Sequence, residues 1–210
     1  MFTKKGILIV ISGPSGAGKG TICKELLKKH NLHLSISATT RTPREGEVHG
    51  ENYFFLSREE FLNKVEENDF IEYAEVYGNL YGTPKSGVQQ MLDDGKDVIL
   101  EIDIQGALKV KDNVSDGVFI FILPPSMEEL KQRIIKRGSE TPESLMTRFK
   151  SAYQEINYVS KYNYAVVNDT VESAVEKIES ILVAEKCRVD RMKEKILDSK
   201  EGLIHDQLYD

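Results

Sequence analysis

Residues 13–21 read Gly-Pro-Ser-Gly-Ala-Gly-Lys-Gly-Thr, directly after the apolar run Ile7 to Ile11 and directly before a stretch with helical spacing. A glycine-rich turn between a buried strand and a helix is the setting in which backbone N–H groups converge on a phosphate. Glycines at 13, 16 and 18 let the chain turn tightly enough to aim successive amides into one concavity. Lys19 brings a mobile ammonium to the outer phosphates, and the start of the helix from about residue 19 to 29 adds partial positive charge. The pattern departs from the usual one at Gly20, where Ser or Thr ordinarily holds magnesium; the hydroxyl arrives one residue later, at Thr21. The bland alternative is a strand-to-helix turn carrying a solvated lysine. The context favours a nucleotide triphosphate, with Gly13, Pro14, Ser15, Gly16, Ala17, Gly18, Lys19, Gly20 and Thr21 as its cradle.

The surroundings of this loop are bounded by length and charge. The 210 residues, 40% hydrophobic, suit one α/β core with inserted subdomains. With 28 basic against 34 acidic residues, net −6, the chain has no general field for capturing nucleic acid, so positive charge acts locally. Cys23 and Cys187 lie far apart without metal-ligand spacing, as reduced thiols of a cytoplasmic protein would. No apolar stretch approaches the roughly 20 residues that span a bilayer, and Ile7 to Ile11 is too short for a signal-peptide core. A cytoplasmic protein that engages no membrane is expected.

Four apolar runs have strand length: Gly6 to Ile11, Asp97 to Ile102, Val118 to Leu123 and Tyr164 to Val167. Helical stretches at about 19–29, 84–94, 126–136, 142–160 and 171–198 separate or follow them, which predicts βα alternation around one parallel sheet. The excursion from about 35 to 90 is too long for an ordinary connection and predicts an inserted subdomain. Within it, Glu51 to Leu56 and Phe70 to Val76 read as strands and Arg58 to Asn68 as an amphipathic helix. The excursion opens with Ser37-Ala-Thr-Thr-Arg41-Thr-Pro-Arg44-Glu-Gly-Glu47, two guanidiniums beside hydroxyls and an acid. Arginine forks suit bidentate phosphate contacts, so Arg41 and Arg44 can clamp a monophosphate, with the phenols of Tyr53 and Tyr81 beside them. Taken alone, without the upstream phosphate loop, the segment would read as a solvated charged loop.

Further segments join these two: Gly50 to Phe55, Phe70-Ile-Glu-Tyr73, Gly78-Asn-Leu-Tyr-Gly-Thr83, Glu101-Ile-Asp-Ile-Gln-Gly106 and Pro124-Pro-Ser126. In order and spacing, over about residues 5 to 187, the set resembles guanylate kinase. The resemblance implies a P-loop NTPase fold of the α/β class, a parallel sheet flanked by helices. It implies one domain over 1–210: a core of about 1–36, 91–128 and 155–210, a GMP-binding insertion of about 37–90 and a small lid of about 129–154. The implied reaction takes ATP and GMP to ADP and GDP in purine nucleotide metabolism, with Mg2+ as the metal and ATP as co-substrate. Arg41, Arg44, Tyr53 and Tyr81 match positions for the GMP phosphate, Ser37, Glu72 and Thr83 match positions that recognise guanine, and Asp103 matches another purine contact. Glu47 is expected to position a phosphate-binding side chain. Guanine offers an N1–H and a 2-amino group that one carboxylate accepts together, whereas adenine offers an acceptor at N1, so Glu72 should reject AMP. Thr83 stands where relatives often carry serine, and its hydroxyl is expected to reach guanine O6.

Glu101 and Asp103 stand two residues apart at the end of the second core run, so on a strand they would share a face toward the phosphates, with Gln105 and Gly106 forming a tight exit. Together with Thr21 they are the candidates for magnesium, partly through water. Capping of neighbouring N–H groups is their other explanation. The basic cluster Arg133, Arg137 and Arg148 resembles the family's lid over ATP, where arginines stabilise charge on the transferring phosphoryl group; Gly138 supplies a helix end and hinge. A solvated helix face is the alternative. Asn168 matches a position near adenine, and Arg137 can stack on that ring. No covalent intermediate is required, and His30, His33, His49 and His205 have no necessary role. Two other functions compete. A binding module of the same fold typically loses the phosphate loop, which is retained here; a kinase for another phosphorylated acceptor would not need Glu72 and Thr83. A homo-oligomer is compatible with the sequence.

Overall fold

The computed structural model describes residues 5–76, 78–136 and 142–192. β1 (Leu8–Ser12) runs into the glycine turn and α1 (Lys19–Lys29), followed by β2 (Leu32–Leu34). The excursion then carries β3 (Ala38–Thr39), β4 (Phe54–Phe55), α2 (Arg58–Glu66), β5 (Phe70–Val76) and β6 (Asn79–Pro84). The chain returns through α3 (Lys85–Asp93), β7 (Asp97–Glu101), α4 (Ile104–Asn113), β8 (Val118–Leu123), α5 (Met127–Lys136), α6 (Pro142–Glu155), a 3-10 turn (Ile156–Lys161), β9 (Tyr164–Val167) and α7 (Val171–Lys186).

Five strands make a parallel sheet in the order β2-β7-β1-β8-β9. Its inner strands β7, β1 and β8 are buried on both faces, which is why they read as continuous apolar runs rather than alternating ones, while the edge strands β2 and β9 are partly exposed. Alternation still decides partners: Ile9 and Ile11 of β1 pack with α1 and α7 around Ile22, Leu26 and Ile178. Leu8 and Val10 face the other way, toward α3 and α4 with Val88, Leu92 and Val110. A second sheet, β4-β3-β6-β5, belongs to the excursion and has its own small core of Ala38, Phe61 and Leu80. Ser57 and Glu60 form a reciprocal capping box at the start of α2. Among the described residues no helix is long and apolar enough to cross a membrane.

The structure departs from sequence expectation in definite places. The parallel sheet has a fifth strand, β2, whose three residues are too few to show a period. Glu51 to Leu56 forms strand only at Phe54–Phe55. Predicted helix 142–160 ends at Glu155 and tightens into a 3-10 turn, and 171–198 stops at Lys186, the rest beyond 192 lying outside the described residues. Asp103 is not a strand residue and Gln105 and Gly106 are not a simple exit: β7 ends at Glu101, and Asp103 caps α4 by accepting the Gly106 N–H at 3.0 Å. An aspartate ahead of a helical stretch is a start signal, and here it outweighs the apolar run that suggested a longer strand.

Phe61 is fully buried and stacks on Phe70 with ring centroids 4.6 Å apart, fastening α2 to the second sheet. Phe61→Ala should therefore lower stability by about 3–5 kcal/mol in denaturant unfolding, with a loss below about 1 kcal/mol counting against this ring as the anchor.

Candidate active site

The glycine turn connects the carboxyl end of β1 to α1, so its amides and the start of the helix open on the same side of the sheet as the ends of β7 and β8. Gly18 caps α1 at φ +94°. A Cβ there would lie 2.3 Å from Nδ2 of Asn168, so both the backbone angle and the close neighbour demand glycine. Lys19 curls back on the turn, its Nζ donating to Gly13 O at 2.6 Å and Pro14 O at 3.2 Å. Burial lowers the pKa of its ammonium, and the carboxylates of Glu101, Glu155 and Asp103 oppose that shift.

A cleft of about 480 Å³ gathers loop residues Gly13, Ser15, Gly16, Gly18, Lys19, Gly20 and Thr21 with Arg44 and Tyr81 of the excursion. Glu101, Asp103, Arg133 and Glu155 complete its walls. An adjoining cavity of about 170 Å³ is lined by Ser37, Tyr53 and Glu72 and shares Lys19, Tyr81, Glu101 and Asp103 with the cleft. Of the expected residues, these two spaces bring most to a common surface. A second group stands behind it. Arg41 is held by Glu47, its Nη2 donating to Oε1 at 2.8 Å and Oε2 at 2.9 Å, and lies over the rings of Tyr53 and Phe55. Glu47 also accepts the Arg44 N–H at 2.7 Å, so one carboxylate sets both arginine positions. Burial works against the charge of Glu47, but the Arg44 N–H and the Arg41 guanidinium outweigh it and hold its pKa low.

Glu72 is 6% exposed on β5, an unusual place for a carboxylate. The Thr83 hydroxyl of neighbouring β6 donates to its Oε1 at 2.8 Å. That hydroxyl has one proton, so in this structure Thr83 orients the acid instead of offering a donor to a base. Gly106 makes room on the other side, where a Cβ would stand 2.5 Å from Glu72 Oε2. Burial pushes the Glu72 carboxyl up to about 7, the Thr83 bond pulling down and the Asp103 charge adding to the rise.

Gly20 acquires a reason here. A Cβ at that position would lie 3.3 Å from Glu101 Oε1, so the carboxylate occupies the neighbourhood in which a Ser or Thr side chain would stand. Thr21 is exposed on α1 and lines the cleft. Among the described residues no three His, Cys, Asp or Glu side chains form a ready-made metal cage. Two carboxylates and a hydroxyl on a phosphate-sized cleft still fit magnesium, which binds proteins through one or two carboxylates and keeps waters and substrate phosphates as its other ligands. Arg133 donates to Asn168 O at 3.3 Å and pairs with Glu129. Arg137, Gly138 and the side chain of Arg148 lie outside the described residues.

Glu155 was not among the expected site residues, and Ile104 and Gly106 were expected only as part of the segment leaving the second core run, not as a wall of the cleft and a neighbour of Glu72. Glu155 ends α6, accepts the Ser15 N–H and faces Lys19, and burial raises its pKa against both. It stands seven residues after Arg148, two helical turns along the same face, and that spacing was the available signal. Gly106 had none, because its reason is a side chain 34 positions away in sequence.

A family model for guanylate kinase matches residues 5–185. The chain is 77% identical over 207 residues to a guanylate kinase of Clostridium perfringens (strain 13), covering 98% of this chain and 96% of that one. It is 74% identical over 207 residues to a guanylate kinase of Clostridium tetani, covering 99% and 100%. The crystal structure of guanylate kinase from Anaplasma phagocytophilum matches with a TM-score of 0.79 at 36% identity, covering 94% of this chain and 97% of that one.

The raised pKa of Glu72 has a consequence for stability. Its carboxyl stays protonated in the fold up to about 7, while in the unfolded chain it ionises near 4.5. Its contribution is therefore fully present below the lower value and lost as pH rises through the higher one. Compared with Glu72→Gln, the unmodified protein should lose stability between pH 5 and pH 8 in paired denaturant titrations; parallel curves would show that the group does not titrate there.

Proposed function

The chain belongs to the guanylate kinase family, which moves the terminal phosphoryl group of ATP to GMP and releases ADP and GDP, and on that premise we propose how its cleft divides the work. The supporting observation is that the cleft of the phosphate loop and the cavity of Glu72 share Lys19, Tyr81, Glu101 and Asp103 as walls. Two nucleotides seated in them would meet phosphate to phosphate across those residues.

ATP lies along the loop from Gly13 to Thr21 with its outer phosphates at Lys19. GMP enters the adjoining cavity, its phosphate met by Arg44 with the hydroxyls of Tyr53 and Tyr81, while Arg41, bound to Glu47, braces them from behind and adds its charge. Its base faces Ser37 and Glu72, where the carboxylate accepts the N1–H and 2-amino protons together. Thr83 contributes by holding that carboxylate. Ionised Glu72 is the competent acceptor, so guanine binding draws its proton away and GMP affinity rises as pH passes about 7. Magnesium would be held by Glu101 and Asp103, with Thr21 beside them, and supplies charge compensation for the donor phosphates when bound. Arg133, Arg137 and Arg148 are the lid's contribution: guanidiniums that meet negative charge spread over the equatorial oxygens in transfer and help exclude water. Arg137 and Asn168 stand on the adenine side. The division into core, insertion at about 37–90 and lid at about 129–154 belongs to the same proposal, as does a cytoplasmic setting in which the thiols of Cys23 and Cys187 stay reduced.

Coupled ADP release from ATP and magnesium, with GMP, AMP, CMP or no acceptor, tests the whole scheme. Turnover should require GMP; a folded protein inactive with every acceptor would point to a binding module instead. Lys19→Ala should reduce GMP-dependent turnover at least about a hundredfold with the melting temperature kept. Glu72→Gln should raise KM for GMP and relax base choice, because an amide offers one acceptor oxygen where the carboxylate offers two; unchanged GMP kinetics would remove its recognition role.

A further inference from the structure

Asn168 follows β9 and is 3% exposed, yet its polar groups are engaged with three different elements. Its N–H donates to Leu123 O at 2.8 Å, at the end of β8. Its side-chain Nδ2 donates to Ala17 O at 2.7 Å, inside the phosphate loop. Its own carbonyl accepts from Arg133 Nη2 at 3.3 Å, on α5. The side chain reaches the loop only because residue 18 has no Cβ, which would otherwise lie 2.3 Å from Nδ2.

A planar trans peptide points its C=O and the following N–H in opposite directions. Tying Ala17 O to buried Asn168 therefore turns the Gly18 N–H the other way, toward the cleft that Gly18 lines. We propose that Asn168 is a positioning residue for the triphosphate: it sets the Ala17–Gly18 peptide so that its N–H faces the phosphates, and through its own carbonyl it holds Arg133 beside the same loop. This deepens the function proposed above and rests on its assignment of the cleft to ATP, but it differs from a contact between this side chain and adenine, because the group it serves is phosphate. A buried amide suits the task. It donates without carrying a charge that would repel a phosphate, and it needs no protonation state to do so. Among the described residues, the charged groups bonded or adjacent to it include Arg133 from α5 and Asp169, which is paired with Lys177 of α7.

The test uses binding of ATP and of inorganic tripolyphosphate, each with magnesium and without GMP, to the full chain and to Asn168→Ala and Asn168→Asp at pH 8 and pH 5.5. Asn168→Ala should weaken both ligands about tenfold, the size of one lost hydrogen bond with a buried carbonyl left unpaired. Asn168→Asp should be worse at pH 8, where a carboxylate faces Ala17 O, and should recover relative to the unmodified protein at pH 5.5, where a buried carboxyl regains its proton and can donate again. A loss of ATP binding with tripolyphosphate binding intact would overturn the proposal in favour of an adenine contact. An Asn168→Asp deficit equal at both pH values would overturn it in favour of simple packing. Should the variants fail to fold, the unmodified protein still decides: the Gly18 amide resonance should shift on adding tripolyphosphate, and an unmoved resonance sinks the idea. Absence of GMP-dependent turnover in the unmodified protein would remove the kinase assignment while leaving the tripolyphosphate result standing.

Discussion

The ammonium of Lys19 sits where burial disfavours its charge, bonded to two carbonyls of its own loop and faced by Glu101, Asp103 and Glu155. Three acids face that one cation and offset its charge, so attraction for a phosphate falls to the loop amides, the start of α1 and the edges of the cleft. The rest of the cleft answers that constraint from its edges. Arg44 comes from the excursion and Arg133 from α5, and Glu101 and Asp103 are carboxylates of the kind a divalent cation would use. Positive charge is thus supplied from the edges of the cleft instead of being concentrated at its centre.

The neighbouring cavity solves a different problem with similar means. In the proposed role Glu72 is buried so as to read a base edge without competition from water, yet burial pushes its carboxyl up to about 7. Thr83 opposes that shift with a hydrogen bond from the adjoining strand, and Gly106 opens the first turn of α4 so that the carboxylate fits. The hairpin of β5 and β6 therefore places the acceptor and its orienting donor opposite one another across a strand pair. Phe61 and Phe70 keep that hairpin attached to α2 beneath it.

Much of this was legible before any coordinates. β1, β7 and β8 are buried along almost their whole length, so their apolar runs had almost the observed limits; β9, an edge strand with Ala165 and Val167 exposed, was legible from residue type alone, and α1 followed from the glycine turn. Elements of two or three residues escaped, since β2 and β3 are too short to carry a period and exist through their partners. α4 escaped because Glu101 and Asp103 were read together as the end of the second core strand, which hid Asp103 as a helix cap. Side-chain types in the two motifs pointed to candidate phosphate and base sites, whereas Glu155 and Gly106 join the same residues only through contacts between distant segments.

Sequence by itself determined the chemistry on offer: a strand, a glycine loop with its lysine, paired arginines and acids in an order that matches one family along nearly the whole chain. Those are properties of local spacing and residue type, and they survive without knowledge of packing. Tertiary structure alone decided which of these groups face the cleft and which stand behind it. Arg41 is committed to Glu47, the Thr83 hydroxyl to Glu72, and the Asn168 amide to the loop carbonyl of Ala17. The reason is that a hydrogen bond spends its donor on a partner within about 3 Å, and proximity of that order between residues 17 and 168 is set by the stacking of β1, β8 and β9, not by anything either segment contains.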